Sequence, residues 1–234
     1  MAAVAVSPAE RDGAALRVAE LQSRIRGMQA TTLESPALPT APAIAAVLPG
    51  GALRQGAAYS IDGSSTLAMA VLAGPSQSGV WCGVVGVPDF GMEAAARFGI
   101  DLERLVLVPD PGAQWLTATA ALVDVLGVVL LRPPGRASDG DVARLSARLR
   151  QRGTALVVLG DWPTSEARLS ISRSEWSGLG SGHGYLTART ATVTATGRLG
   201  AGRPRSARLW LPDGAQAFRV DETAMPPRLQ AVGA

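Results

Sequence analysis

The feature that most constrains the fold is the stretch from Ala57 to Ala73, which reads AAYSIDGSSTLAMAVLA. It predicts a strand, a tight turn and then an apolar helix, which is the arrangement of a phosphate-binding loop, where helix N-terminal N–H groups hold phosphates. The usual loop, G-x-x-x-x-G-K-[ST], places a lysine on the phosphates and a hydroxyl on Mg²⁺. The turn here is shorter, comprises Asp62, Gly63, Ser64, Ser65 and Thr66, and lacks lysine, as does the whole chain, whose 22 basic residues are all arginine. The stretch therefore predicts the frame of a nucleotide site without its usual working groups.

Composition bounds the class of protein. A chain of 234 residues with 47% hydrophobic content is large enough for one core domain and a small appendage. A pI near 9.9 built on arginine leaves two interpretations, a basic surface for an acidic partner or a coding bias towards arginine. Cys82 lies in an apolar run, cannot form an internal disulfide, and with His183 alone offers no metal cluster. With no signal-peptide pattern and no apolar run of about 18 residues, we expect a soluble protein of the reducing cytoplasm.

Residues 9–29 are predicted to form an amphipathic helix. Its apolar stripe follows heptad spacing and consists of Ala14, Val18, Leu21, Ile25 and Met28. Two heptads do not make a stable coiled coil, so the stripe packs either on this chain's own core or on a partner or second copy. Residues 31–46, with three prolines, are interpreted as a linker. The predicted organisation is therefore a helix at 1–30, a Pro-rich linker at 31–46, a core at 47–220 and a flexible tail at 221–234.

Within the core, continuous Val/Leu runs alternate with helical segments. This pattern predicts an α/β fold with a mainly parallel central sheet flanked by helices. The predicted strands are Ala57–Ile61, Val80–Val87, Leu105–Val108, Val128–Leu131 and Ala155–Leu159. The predicted helices are Ser65–Gly74, Met92–Phe98, Trp115–Val125 and Asp139–Arg152.

Beyond Asp161 the pattern changes to polar alternation. Strands are predicted at Tyr185–Thr196 and Ala207–Leu211, as a hairpin or meander that extends the sheet. The Ser/Gly-rich stretch from Ser170 to Gly184 is predicted to be a loop, and His183 within it a solvated residue.

Five arginines cluster along this late hairpin: Arg189, Arg198, Arg203, Arg205 and Arg208. They have two interpretations, contact with a DNA backbone or protection of an edge strand against pairing. Trp210 lies beside them, and any exposed tryptophan of the C-terminal third is a candidate anchor for a partner.

The order of these elements resembles the RecA ATPase core over residues 47–211. LPGGALRQGAAYSIDGSSTLAMAVLAG is similar to the turn, strand and phosphate loop that open that core. VVGVPDFGMEAAARFGIDLERLVLVPDPGAQWLTATAAL is similar to the next unit, whose helix ends here at Arg97–Asp101 and whose later turn is Pro109-Asp110. The resemblance implies a RecA-like core.

When the ATPase residues of the RecA family are carried over to this sequence one by one, three of them have no counterpart. The loop Asp62–Thr66 has no lysine, although Ser65 or Thr66 keeps a hydroxyl. The strand VVLL leads to Arg132 where the resemblance implies a Walker-B aspartate, and a cation there would repel Mg²⁺. Val87-Pro88 stands where a general-base glutamate is implied, with Asp89 the nearest carboxylate. We therefore expect a pseudo-ATPase, with no catalysis and no cofactor.

Small RecA-like proteins with such degenerate loops resemble the ImuA type of actinobacteria. That resemblance implies an accessory role in damage-induced mutagenesis, with binding to ImuB, through it to an error-prone C-family polymerase, and to DNA on the nucleoid. It also implies that the N-terminal helix could pack as in RecA, on an adjacent subunit of a homo-oligomer. Two other functions stay open, a divergent ATP-dependent recombinase-like regulator and a SulA-like inhibitor of cell division.

Overall fold

The computed structural model describes residues 36–179, 184–197 and 203–224. Five helices are described: α1 (Pro42–Ala45), α2 (Ser65–Gln77), α3 (Met92–Arg97), α4 (Trp115–Val123) and α5 (Asp139–Arg152). The first strands are β1 (Ala37–Leu38), β2 (Leu53–Arg54), β3 (Ala58–Ile61), β4 (Cys82–Val85), β5 (Leu105–Val108), β6 (Val128–Leu131) and β7 (Ala155–Leu159). The later strands are β8 (Ala167–Leu179), β9 (Gly184–Gly197), β10 (Arg205–Trp210) and β11 (Arg219–Val220).

Nine of these strands form one mixed sheet in the order β11-β10-β9-β8-β3-β7-β6-β4-β5. The pairs from β8 to β5 are parallel, and the pairs from β8 to β11 are antiparallel. Every residue of β3, β4, β6 and β7 is buried, as the continuous apolar runs predicted. The α/β class, the parallel centre and the antiparallel extension are confirmed.

Helices cover both faces of the parallel strands. On one face α2 is buried from Leu67 to Ser76, and Ala43 of α1 and Ala95 of α3 lie in the same cluster. On the other face Val123 of α4 and Leu145 of α5 share a second cluster. Helix α2 begins close to its predicted start because Ser64 accepts a hydrogen bond from the Leu67 amide at 3.2 Å. It ends three residues later than predicted, at Gln77.

Residues 37–46, predicted to be linker, belong to the core, so that part of the prediction is wrong. Ala43 and Ile44 are fully buried, and β1 pairs with β2. Pro42 occupies the first turn of α1, where a missing N–H costs nothing. Thr40 and Ala41 run so close to α2 that only glycine fits at Gly74. Pro42 therefore begins a buried turn of helix.

The prediction of a loop from Ser170 onwards is also wrong for the residues up to Leu179, which form a strand. Strand β8 continues to Leu179 and pairs with β9 through two irregularities. Only Ala167 and Arg168 of β8 pair with β3, and β9 pairs with β10 only between Thr190 and Ala195. Residues 174–179 and 184–189 therefore extend past the sheet as a two-stranded hairpin, here called the ribbon.

The C-terminal strands return to the helices. Phe218, just before β11, packs on Phe98 with ring centroids 4.7 Å apart. Asp221 is buried, and a short 3₁₀ turn covers Glu222–Ala224, within the predicted tail. The apolar stripe predicted at Ala14–Met28 lies outside the described residues, as do His183 and Arg198.

Candidate functional site

The degenerate loop lies at the carboxyl edge of the sheet, beside a cavity of about 430 Å³. Its position follows from topology, because loops at the carboxyl ends of parallel strands form the ligand crevice of doubly wound sheets. The turn is tight, with Gly63 at φ 58°. The cavity is lined by Asp62, Gly63, Ser64, Ser65, Thr66, Ile171, Ser172, Arg173, Ser174 and Arg189. Loop and hairpin thus form one site although the sequence separates them by about a hundred residues.

Asp62 is held by Arg168 of β8. The Arg168 guanidinium contacts the two Asp62 carboxylate oxygens at 2.6 and 3.1 Å and donates to Asp161 at 2.7 Å. The Asp62 hydrogen bond raises the pKa of Arg168 further, so the cation is permanent. The Asp62 amide also donates to the Leu169 carbonyl. This edge of the loop is therefore fixed to β8 by an internal ion pair.

Arg132 follows β6, as predicted, and its side chain donates to the Asp89 carboxylate. That hydrogen bond is the main reason why the pKa of Asp89 is below its usual value. Arg132 and Asp89, which the resemblance puts at the Walker-B position and nearest to the general-base position, thus form a pair with each other. Both side chains are exposed, so the pair adds little to stability.

The four described members of the predicted arginine cluster do not form one cluster. Arg208 contacts Glu175 at 2.8 Å and Asp221 at 3.1 Å, and is neutralised. Arg205 donates to the Ala46 carbonyl at 3.2 Å. Arg203 is exposed, and Arg198 lies outside the described residues. Sequence proximity failed here because Arg205 and Arg208 of β10 point to opposite faces, and Arg189 lies on β9 outside the part that pairs with β10.

Of the four described arginines, Arg189 lines the cavity. Its guanidinium lies over the Trp176 ring, with Cζ 5.5 Å from the ring centroid, and its Nε donates to the Ser174 hydroxyl at 2.6 Å. Trp210 is half-buried beneath Arg219 in a second such contact, at 5.3 Å. Of the C-terminal tryptophans, Trp162 is buried and Trp176 is half exposed.

Arg168 and Arg173 were not identified from the sequence as members of the site, and Trp176 was a candidate only as an exposed anchor for a partner. Arg173 lies at an irregularity of the β8–β9 pairing with φ 48°, a left-handed conformation unusual for arginine. The pairing of Ser172 and Ser174 on either side leaves it as the extra residue of a bulge. The alternation in SISRSEWS is the available signal for a strand, but its serines and the glycines that follow it favour a loop.

Two negative findings apply to the described ranges only. No group of three or more His, Cys, Asp or Glu side chains there could hold a metal ion. No helix of residues 36–179, 184–197 or 203–224 has the length and apolar character needed to cross a bilayer.

Fold and site together define a mixed α/β protein with a doubly wound parallel centre and a short, lysine-free turn at its carboxyl edge. The chain belongs to the family described as the MT3502 N-terminal domain, whose model matches residues 46–164. It is also similar to the uncharacterized protein Rv3395c of Mycobacterium tuberculosis (strain ATCC 25618 / H37Rv), with 38% identity over 112 residues. That match covers 47% of this chain and 55% of the relative, so the chain spans about half the length of the curated protein it matches. The family match includes the loop and Arg132 but ends before β8.

Proposed function

We propose that this chain is a non-catalytic accessory protein of damage-induced mutagenesis, in which a RecA-like core serves as a binding scaffold for ImuB. Through ImuB it acts with an error-prone C-family polymerase in translesion synthesis at the nucleoid. The role rests on the family resemblance of the sequence, and the absence of catalysis rests on the site.

The observation that carries the non-catalytic part is the ion pairing at the carboxyl edge. Phosphate loops stabilise negative charge through helix N–H groups and a lysine. This loop has no lysine, and its Asp62 carboxylate is held in an ion pair with Arg168, so the loop itself offers no cation to a nucleotide's phosphates. At the position expected for a metal-binding aspartate, Arg132 pairs with Asp89. Both arrangements oppose Mg²⁺–nucleotide binding.

Co-purification with ImuB tests the accessory role. The full chain is compared with a variant that lacks residues 1–35, which keeps β1 and α1 and so leaves the described core intact. A complex with both forms places the ImuB contact on the core, and a complex with the full chain alone places it on the predicted helix. Failure of both forms to bind ImuB overturns the proposal.

A second candidate, an ATP-dependent regulator, is favoured by the Ser65 and Thr66 hydroxyls and the Arg173 and Arg189 side chains at the cavity. Equilibrium dialysis with labelled ATP and Mg²⁺ separates the two. The accessory role expects no saturable binding. Saturable binding that Thr66→Ala abolishes, while Thr117→Ala on α4 leaves it intact, would favour the regulator.

A further inference from the structure

The ribbon exposes large apolar side chains beyond the edge of the sheet. Trp176 is 51% exposed and Tyr185 is 87% exposed, and Leu179 and Leu186 beside them are also exposed. Residues 174–179 of β8 do not pair with β3, and residues 184–189 of β9 do not pair with β10. Aromatic rings held in water on a paired β-scaffold are unusual in a domain whose other large side chains are mostly buried, and they indicate a binding surface.

Strand pairing sorts the ribbon's side chains onto two faces. Ser174 pairs with Ala191 and Trp176 pairs with Arg189, so these side chains share one face. Tyr185 lies further along β9, beyond the second irregularity of the pairing, which falls between Ser177 and Leu179. Glu175 pairs with Thr190 on the opposite face, where Arg208 neutralises it. The face opposite to Glu175 therefore carries the Trp176 ring and the Arg189 cation, and the exposed Tyr185 ring lies further out on the same ribbon.

The cavity continues this face at the base of the ribbon. Within the described part of the chain, neither Arg173 nor Arg189 has a carboxylate within ion-pair distance. The carboxylate at the cavity, Asp62, is paired with Arg168. Hydroxyls from the loop and from β8 complete the lining. The charge at the cavity mouth therefore favours an anionic ligand.

We infer that this surface, Arg173, Trp176, Tyr185 and Arg189, binds single-stranded nucleic acid. The two guanidiniums contact phosphates, and the two rings stack with unpaired bases, the combination by which proteins hold single strands without reading sequence. A duplex keeps its base faces covered and cannot use the rings. The inference deepens the proposed function by naming a ligand surface, and it rests on that function for its cellular setting.

The test is fluorescence anisotropy of the full chain with a labelled oligothymidylate of about 20 nucleotides at about 50 mM salt. We expect binding that Trp176→Ala weakens at least about fivefold and that Trp176→Phe largely retains, because alanine removes the aromatic face on which a base stacks and phenylalanine keeps one. The double variant Arg173→Gln/Arg189→Gln should weaken binding by about tenfold or more. It should also reduce the slope of log affinity against log salt by about 1.4, the value for two single-strand phosphate contacts.

Arg144→Gln on α5 is the matched control, because Arg144 is exposed on the face opposite to α2. It should leave affinity unchanged, and duplex DNA of the same length should show no dependence on Trp176. Absence of oligothymidylate binding by the wild-type chain overturns the inference, as does equal weakening by Arg144→Gln and the ribbon variants. Thermal melts verify that each variant is folded.

ImuB co-purification keeps the two proposals separate. Oligothymidylate binding without an ImuB complex supports the ribbon surface and contradicts the accessory role. An ImuB complex that Trp176→Ala abolishes, with no oligothymidylate bound, makes the ribbon a protein-docking arm and overturns the nucleic-acid inference.

Discussion

The hydroxyl of Tyr59 accepts a hydrogen bond from the backbone amide of Arg54 at 2.8 Å, inside the core. Burial is the main reason why the pKa of Tyr59 is raised to about 12. The contact fixes β2, and with it the β1–α1 segment, to the first residues of β3.

Tyr59→Phe should lower the free energy of unfolding by about 1–2 kcal/mol at neutral pH, since the Arg54 amide loses its acceptor. A raised folded-state pKa means that the phenol stabilises the fold fully below pH 10 and progressively less as pH rises towards 12. The difference between wild type and variant should therefore shrink in that window. Urea unfolding at several pH values measures it.

Tyr185→Phe serves as the control, because Tyr185 is almost fully exposed. It should leave stability unchanged at neutral pH. A wild-type difference that stayed constant from pH 8 to pH 12 would show that Tyr59 titrates normally in the folded chain.

Gly74→Ala should destabilise the protein by about 1–3 kcal/mol, although alanine favours helix. A Cβ there would overlap the backbone of Thr40 and Ala41 and push α1 away from α2. The matched control is Gly140→Ala in α5, whose Cβ would meet only Ser138 Oγ at 3.9 Å. That control should be neutral or stabilising by up to about 1 kcal/mol. Thermal unfolding of both variants tests this difference. Equal melting temperatures of the two variants would contradict the close contact between Gly74 and the backbone of Thr40 and Ala41.

Asp213→Asn should lower the melting temperature at pH 7 by about 2–6 °C. Burial alone would raise the pKa of Asp213, but hydrogen bonds from the Ala217 and Ala215 amides and from Arg219 outweigh it and lower the pKa. A lowered pKa means that this stabilisation is present above about pH 4 and is lost as pH falls through the folded-state value. The difference in melting temperature should close at low pH, whereas the exposed Asp110→Asn should change little at any pH. A gap of the same size at pH 3 and pH 7 would argue against this pairing.

The central sheet was predictable because its strands carry strong local signals. VVLL and ALVVL are uninterrupted apolar runs, and such runs between helices indicate strands buried on both faces. Helix α5 was predicted from end to end since Ser138 caps its start and Gly153, at φ 72°, closes it. In these cases the local sequence and the tertiary structure favour the same conformation.

The α1 segment and the β8 half of the ribbon were mispredicted for a common physical reason. Their local composition, rich in proline in one and in serine and glycine in the other, is typical of loops. Partners distant in sequence override that preference: α2 packs on Ala41, and β9 pairs with β8. The prediction failed where long-range contacts determine the conformation.

The candidate site was only half predictable. The positions of the loop Asp62–Thr66 and of Arg132 were predicted correctly because each follows a strongly apolar strand. The Arg168–Asp62 pair joins residues 106 positions apart, and no local pattern indicates it. The Arg189–Trp176 contact depends on the β8–β9 register, which side-chain alternation alone does not fix.

Cys82, the chain's only cysteine, is fully buried in β4 between two parallel neighbours, and burial raises the pKa of its thiol to about 12. A thiol reagent at neutral pH therefore meets neither an accessible sulfur nor a thiolate while the sheet is intact. The rate at which such a reagent modifies the native chain then measures how often the centre of the sheet opens. The same protection lets a second cysteine, such as Leu179→Cys at the end of β8, be labelled with a fluorophore while Cys82 stays in place.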